Sequence, residues 1–129
     1  MRIALFVSLL WLSATLSPGH AQAFSPVSLV GKWTASEKMS NGTTMTTQLT
    51  LTQSMKFTGV ATLDGREYWT FAGTWEVDGS KLVLHYETSS RPLPESAKAD
   101  VDDIVSIGAE KLVVVSRLGG KQHEFTRLR

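Results

Sequence analysis

The chain has 129 residues, no cysteine, and thirteen Lys and Arg against twelve Asp and Glu, for a formal charge of +1. The missing cysteine excludes disulfides, thiolate metal sites and cysteine nucleophiles, and removes the residue to which a bacterial lipoprotein's lipid would be attached. Near-neutrality leaves no bulk electrostatic reason to bind nucleic acid or an anionic membrane.

Residues 1–23 read as a secretion signal peptide. Arg2 supplies the positive end, Ile3 to Leu16 is almost wholly apolar, Ser17-Pro18-Gly19 breaks the run, and Ala21-Gln22-Ala23 offers the small-x-small cleavage pattern. The 14-residue apolar run is shorter than the about 20 residues that span a bilayer. Cleavage after Ala23 would leave residues 24–129, a neutral single domain with no membrane insertion, in the periplasm or secreted.

The rest alternates apolar and polar residues in short runs punctuated by turns, the signature of antiparallel strands. The first strand is expected from about Val30 to Met39, ending at a two-residue hairpin turn, Asn41-Gly42. The second, about Thr44 to Thr52, puts Met45, Leu49 and Leu51 on one face. The third aligns Met55, Phe57, Gly59, Ala61 and Leu63 and turns at Asp64-Gly65. The fourth aligns Trp69, Phe71, Gly73, Trp75 and Val77 and turns at Asp78-Gly79.

Leu82, Leu84 and Tyr86 mark the fifth strand. Ser89 to about Asp100 is expected to be a loop, because Pro92 and Pro94 cannot donate to a sheet ladder. Val101 to Ile107 is the sixth strand, and Leu112, Val114, Ser116 and Leu118 mark the seventh. Gly119-Gly120 turns into the eighth, about Lys121 to Leu128. Eight strands joined mostly by short turns predict an all-β, up-and-down antiparallel barrel, which hides its own edges by closing.

Gly31-Lys32-Trp33 at the start of the first strand resembles the Gly-x-Trp signature of the lipocalins and their calycin relatives. The run from Phe71 to Leu84 is similar to the fourth and fifth strands of short bacterial lipocalin-like domains, as is the ending Leu112 to Val115, Gly119-Gly120 and Phe125-Thr126-Arg127. The resemblance covers nearly all of residues 24–129. It implies that Trp33 closes one end of the barrel and that Arg127 lies across its ring, a cation–π contact worth about 0.5–2 kcal/mol.

Phe57, Trp69, Phe71, Trp75 and Phe125 fall with Trp33 on the expected interior face, either lining a pocket or packing it solid. Among them Phe57, Trp69, Phe71 and Trp75, with His123, are the candidate ligand-binding residues. Glu37, Thr47, Glu67 and Ser116 are expected to point inward or to lie near the mouths. His85 is expected outside and His123 inside, which does not make a shared metal site. Asp100, Asp102 and Asp103 lack the Gly and distant Glu of a calcium loop and read as a solvated turn.

No Gly-x-Ser-x-Gly elbow or acid–base pair can be assembled, so the expectation is a non-catalytic protein with no cofactor and no metal. Its expected role is binding a small apolar or amphipathic molecule in the lumen, entered at the mouth opposite Trp33. The alternative is a packed barrel that displays loops to an envelope or secreted protein, as a protease inhibitor or envelope accessory protein. Arg91, Leu93 and Glu95 would then form the partner surface.

Overall fold

Which side of each strand is buried follows from the period-two geometry of extended chain, and here it gives eight strands one apolar face each. The computed structural model describes residues 24–129. The signal-peptide expectation for residues 1–23 lies outside the described residues. The strands are β1 (Gly31–Lys38), β2 (Thr44–Leu51), β3 (Lys56–Leu63), β4 (Arg66–Asp78), β5 (Lys81–Ser89), β6 (Ala99–Ile107), β7 (Lys111–Ser116) and β8 (Gln122–Leu128). They pair antiparallel in chain order and β8 returns to β1, closing the up-and-down barrel expected from the sequence.

The closing seam is the shortest ladder. Only Lys32, Trp33 and Thr34 of β1 find partners on β8, namely Leu128, Arg127 and Thr126. Seven connections and the N-terminal approach divide between the two ends. The chain before β1 and the β2–β3, β4–β5 and β6–β7 turns form the base. The β1–β2, β3–β4, β5–β6 and β7–β8 connections surround the mouth.

Three β-bulges set which side chains reach the axis, since an extra residue re-aims its neighbours. Between Ala61 and Thr62 the register of β3 on β4 shifts, so Thr62 faces Glu67 and Tyr68 is the extra residue. Glu67 therefore shares the outer face of Thr62, so of the two expected placements, inward or near a mouth, it takes the one near the mouth, beside the β3–β4 turn. A second bulge makes Glu87 extra, so that Tyr86 opposes Gly73 and Ser89 opposes Phe71. A third leaves Val105 unpaired and exposed.

Turn chemistry accounts for most of the punctuation. Asp64 and Gly65 both take positive φ, 48° and 85°, in a two-residue loop of the primed type. The Asn41-Gly42 turn is longer than expected: residues 39–43 form the loop, Met39 and Thr43 are joined through Met39 N–H, and the Asn41 side chain accepts from Thr43 N–H at 3.0 Å. The Asn side chain here substitutes for a backbone acceptor. Met55, expected in β3, sits in the preceding turn with φ 66°.

The largest correction concerns β6. It begins at Ala99, so Asp100 and Asp102 are strand residues and not part of a solvated turn. Asp100 pairs with Leu84, and Asp102 with Leu82 and Ser116, all on the interior face. Asp103, one residue on, faces out and is held by Arg117 through two hydrogen bonds of 3.1 Å.

Candidate functional site

The base is built first, because it determines where open space remains. A 3-10 turn at Pro26–Leu29 carries Leu29 under the barrel, where it is completely buried. Trp33 is equally buried and donates its indole N–H to Leu29 O at 2.9 Å. The Arg127 guanidinium lies 4.2 Å from the Trp33 ring centre. It donates to Val30 O at 2.8 Å, Ser28 O at 3.0 Å and Ala109 O at 2.9 Å. Trp75, 1% exposed, donates its indole N–H to Thr52 O at 3.1 Å in the base turn. Phe57 is buried to the same degree. The two rings thus belong to the packed core, and neither lines the open space above it.

Above this floor is a cavity of ≈ 610 Å³. Leu49, Leu82, Leu84, Leu112 and Val114 form its lower wall, and Trp69, Phe71, Tyr86 and Phe125 its aromatic side. Trp69 and Phe71 have ring centres 4.2 Å apart, Phe71 and Tyr86 meet edge-on at 5.5 Å, and Phe57 supports Tyr86 from below at 5.4 Å. The cavity reaches the unpaired upper halves of β1 and β8 through Ala35, Ser36, Glu37 and Gln122 to Phe125. An ion pair between Lys121 and Glu37 crosses this gap at the mouth.

Glycine makes room for the aromatic wall. A Cβ on Gly59 would stand 2.1 Å from a Phe71 ring carbon, so this ring occupies the space above Gly59. At Gly73 the obstacle is backbone, with His85 O 1.9 Å from where a Cβ would be, beside the β4–β5 bulge.

The polar lining is uneven. Asp102 is only 9% exposed and lines the cavity. Burial, with Asp100 and Asp103 adding negative charge nearby, pushes its carboxyl up to about 7. Burial also raises Asp100, against the pull of His123, and Asp100 Oδ1 is buried without a hydrogen-bond partner among the described residues. Burial and then the two aspartates raise the Tyr86 phenol well above its ordinary value, keeping it neutral.

Of the residues singled out for ligand binding, the structure brings Trp69, Phe71 and His123 to the cavity and leaves Phe57 and Trp75 in the core. Glu37, Thr47 and Ser116 line it as well. His85 is outside, 3.0 Å from Glu76. Tyr86, Asp100 and Asp102 were the omissions. Their signal was present, since stepping back by two from Ile104 reaches both aspartates and stepping on from Leu84 reaches Tyr86.

Arg91, Leu93 and Glu95 lie on the β5–β6 connection. Arg91 stacks 3.6 Å from the Tyr68 ring centre and donates to Tyr68 O at 2.7 Å. Leu93 is half-buried beside it in a separate hollow of ≈ 300 Å³, and Glu95 is exposed, pairing with Lys98 at 3.0 Å. This connection is joined to the cavity wall, because Trp69 donates its indole N–H to Ser89 Oγ at 2.7 Å and that hydroxyl donates to Arg91 O at 2.6 Å. Among the described residues no group of three or more His, Asp or Glu side chains converges as a metal site, and no helix is long and apolar enough to cross a membrane.

A closed eight-strand meander plugged by a base tryptophan under an arginine is a lipocalin-like fold. Among solved structures the chain is similar to a lipocalin-like protein from Bacteroides uniformis, at 18% identity and a TM-score of 0.52, over 78% of this chain and 99% of that one. No protein-family profile matches the sequence, and no curated protein does.

Proposed function

We propose that this is an exported, non-catalytic binding protein that takes a small apolar or amphipathic molecule into the barrel through the mouth opposite Trp33. The observation that carries the reading is the ≈ 610 Å³ cavity with an aliphatic floor and an aromatic wall. A concave space of this size, walled by aliphatic and aromatic side chains, suits a small molecule, and the polar side chains that share its lining suit an amphipathic one. The loop-display alternative calls for a solid interior, and the hollow lumen favours the small molecule. Export rests on the pattern of residues 1–23.

The test is intrinsic tryptophan fluorescence against a panel of fatty acids, retinoids and hydrophobic dyes. Saturable change with at least one class is expected, because Trp69 lines the cavity. Uniform absence of binding at high micromolar concentration contradicts the proposal.

A further inference from the structure

We propose that the molecule taken up carries a cationic amine head, seated against Asp100 and Asp102, with its apolar body along Trp69, Phe71 and Tyr86. The inference rests on the binding role proposed above and assigns the chemical class of the ligand.

Three observations carry it. First, two carboxylates two positions apart on β6 share the interior face, beside the aliphatic and aromatic side chains of the chamber wall. Buried carboxylates are ordinarily paired or hydrogen-bonded. Here Asp100 Oδ1 is buried without a hydrogen-bond partner among the described residues, and Asp102 is nine-tenths buried beside it. A primary ammonium brings three N–H donors and a compensating charge, which is what these oxygens lack.

Second, most of the protein's own cations around the chamber are already engaged. Lys121 is paired with Glu37 at the mouth, Lys111 with Glu124 at 2.7 Å, and Arg117 with Asp103 on the outer face. His123 on β8 also bears on Asp100, but no hydrogen bond joins the two. Third, Trp69 and Tyr86 lie nearly parallel, 27° apart with centres 6.1 Å apart, on the same chamber wall. Aromatic faces attract a desolvated cation as well as an apolar chain. A carboxylate-headed molecule would place like charge beside Asp100 and Asp102 and is disfavoured.

The experiment is calorimetric titration of the protein, expressed from its full sequence, with decylamine, decanol and decanoic acid at about pH 8.5, where an alkylamine is still mostly protonated. Decylamine is expected to bind about tenfold or more tighter than decanol, with decanoic acid weakest, from charge-assisted hydrogen bonding. Asp102→Asn, which keeps the side-chain shape, is expected to bring decylamine within about threefold of decanol. Asp100→Asn, the second variant, is expected to narrow the same ratio. Equal affinity for amine and alcohol, tightest binding of the acid, or an amine preference that survives both variants overturns the inference while leaving the binding role standing. Failure of all three molecules to bind overturns the inference, and only uniform failure of the wider fluorescence panel as well overturns the binding role.

Discussion

Arg127 sits with its guanidinium 4.2 Å from the Trp33 ring centre while donating to three carbonyl groups, those of Val30, Ser28 and Ala109. One side chain therefore joins β8, the β6–β7 turn and the segment leading into β1 across the base of the barrel. Arg127→Ala removes the cation–π contact and leaves the carbonyls short of their donors, at an expected cost of about 2–4 kcal/mol in urea unfolding. Arg127→Lys recovers less than half of this, because an ammonium cannot present the planar fork that reaches all three. A loss within about 0.5 kcal/mol for the alanine variant contradicts this role.

The two interior glycines of the aromatic wall differ in what they face. Gly73→Ala drives a methyl into the His85 carbonyl, which the β4–β5 ladder holds in place. Its expected cost is about 2–3 kcal/mol or more, as for overpacking against backbone. Gly59→Ala meets the Phe71 ring instead, which can tilt towards the cavity. Its expected stability loss is smaller, but the chamber narrows and dye affinity falls. Thermal unfolding and a dye titration on the same two variants check the contrast.

Stability should depend on pH through Asp102. A carboxyl whose folded-state pKa is raised binds its proton more tightly when folded, so ionisation works against folding. Its contribution is therefore most favourable below the ordinary value of 3.8 and is lost as pH rises through about 7. Asp100 is shifted in the same direction, and Asp103, lowered chiefly by its hydrogen bond to Arg117, in the opposite one. Asp102→Asn is expected to leave stability near pH 4 almost unchanged and to raise it at pH 8 by about 1–3 kcal/mol, since a buried uncompensated charge is removed. Urea midpoints at the two pH values decide it, and a variant that is less stable at pH 8 contradicts it.

Trp69 is held through Ser89, whose hydroxyl in turn donates a hydrogen bond to Arg91 O. Ser89→Ala frees the indole N–H and loosens residues 90–98 together, at an expected cost of about 1 kcal/mol. Hydrogen exchange should quicken in that connection while remaining unchanged in the base turns. Equal protection in variant and parent would show that the wall and the connection are not coupled.

Much of this arrangement was legible in the alternation of residues. Period-two runs and Gly-containing turns identify eight strands, while the closed end at Trp33 and Arg127 comes from the resemblance of Gly31-Lys32-Trp33 to the lipocalin signature. What alternation cannot supply is height along the barrel axis, which is why Phe57 and Trp75 share the interior face with Trp69 yet lie in the floor. Nor does it show bulges, and the one at Tyr68 turns Glu67 outward. Asp100 was hidden because Pro92 and Pro94 extended the loop too far, and Asp102 because a run of acidic residues resembles a solvated turn. Burying them is costly, and a pattern of residues alone does not reveal a cost accepted for a site.

The central claim, that the hollow above the base holds the ligand, is tested most directly through the indole N–H resonances in 15N-labelled protein. Titration with decylamine or a binding dye should shift the Trp69 indole signal strongly and saturably, while those of Trp33 and Trp75, committed to Leu29 O and Thr52 O, stay in place. Binding that leaves Trp69 unmoved, or that perturbs only residues on the outer face, would contradict the account.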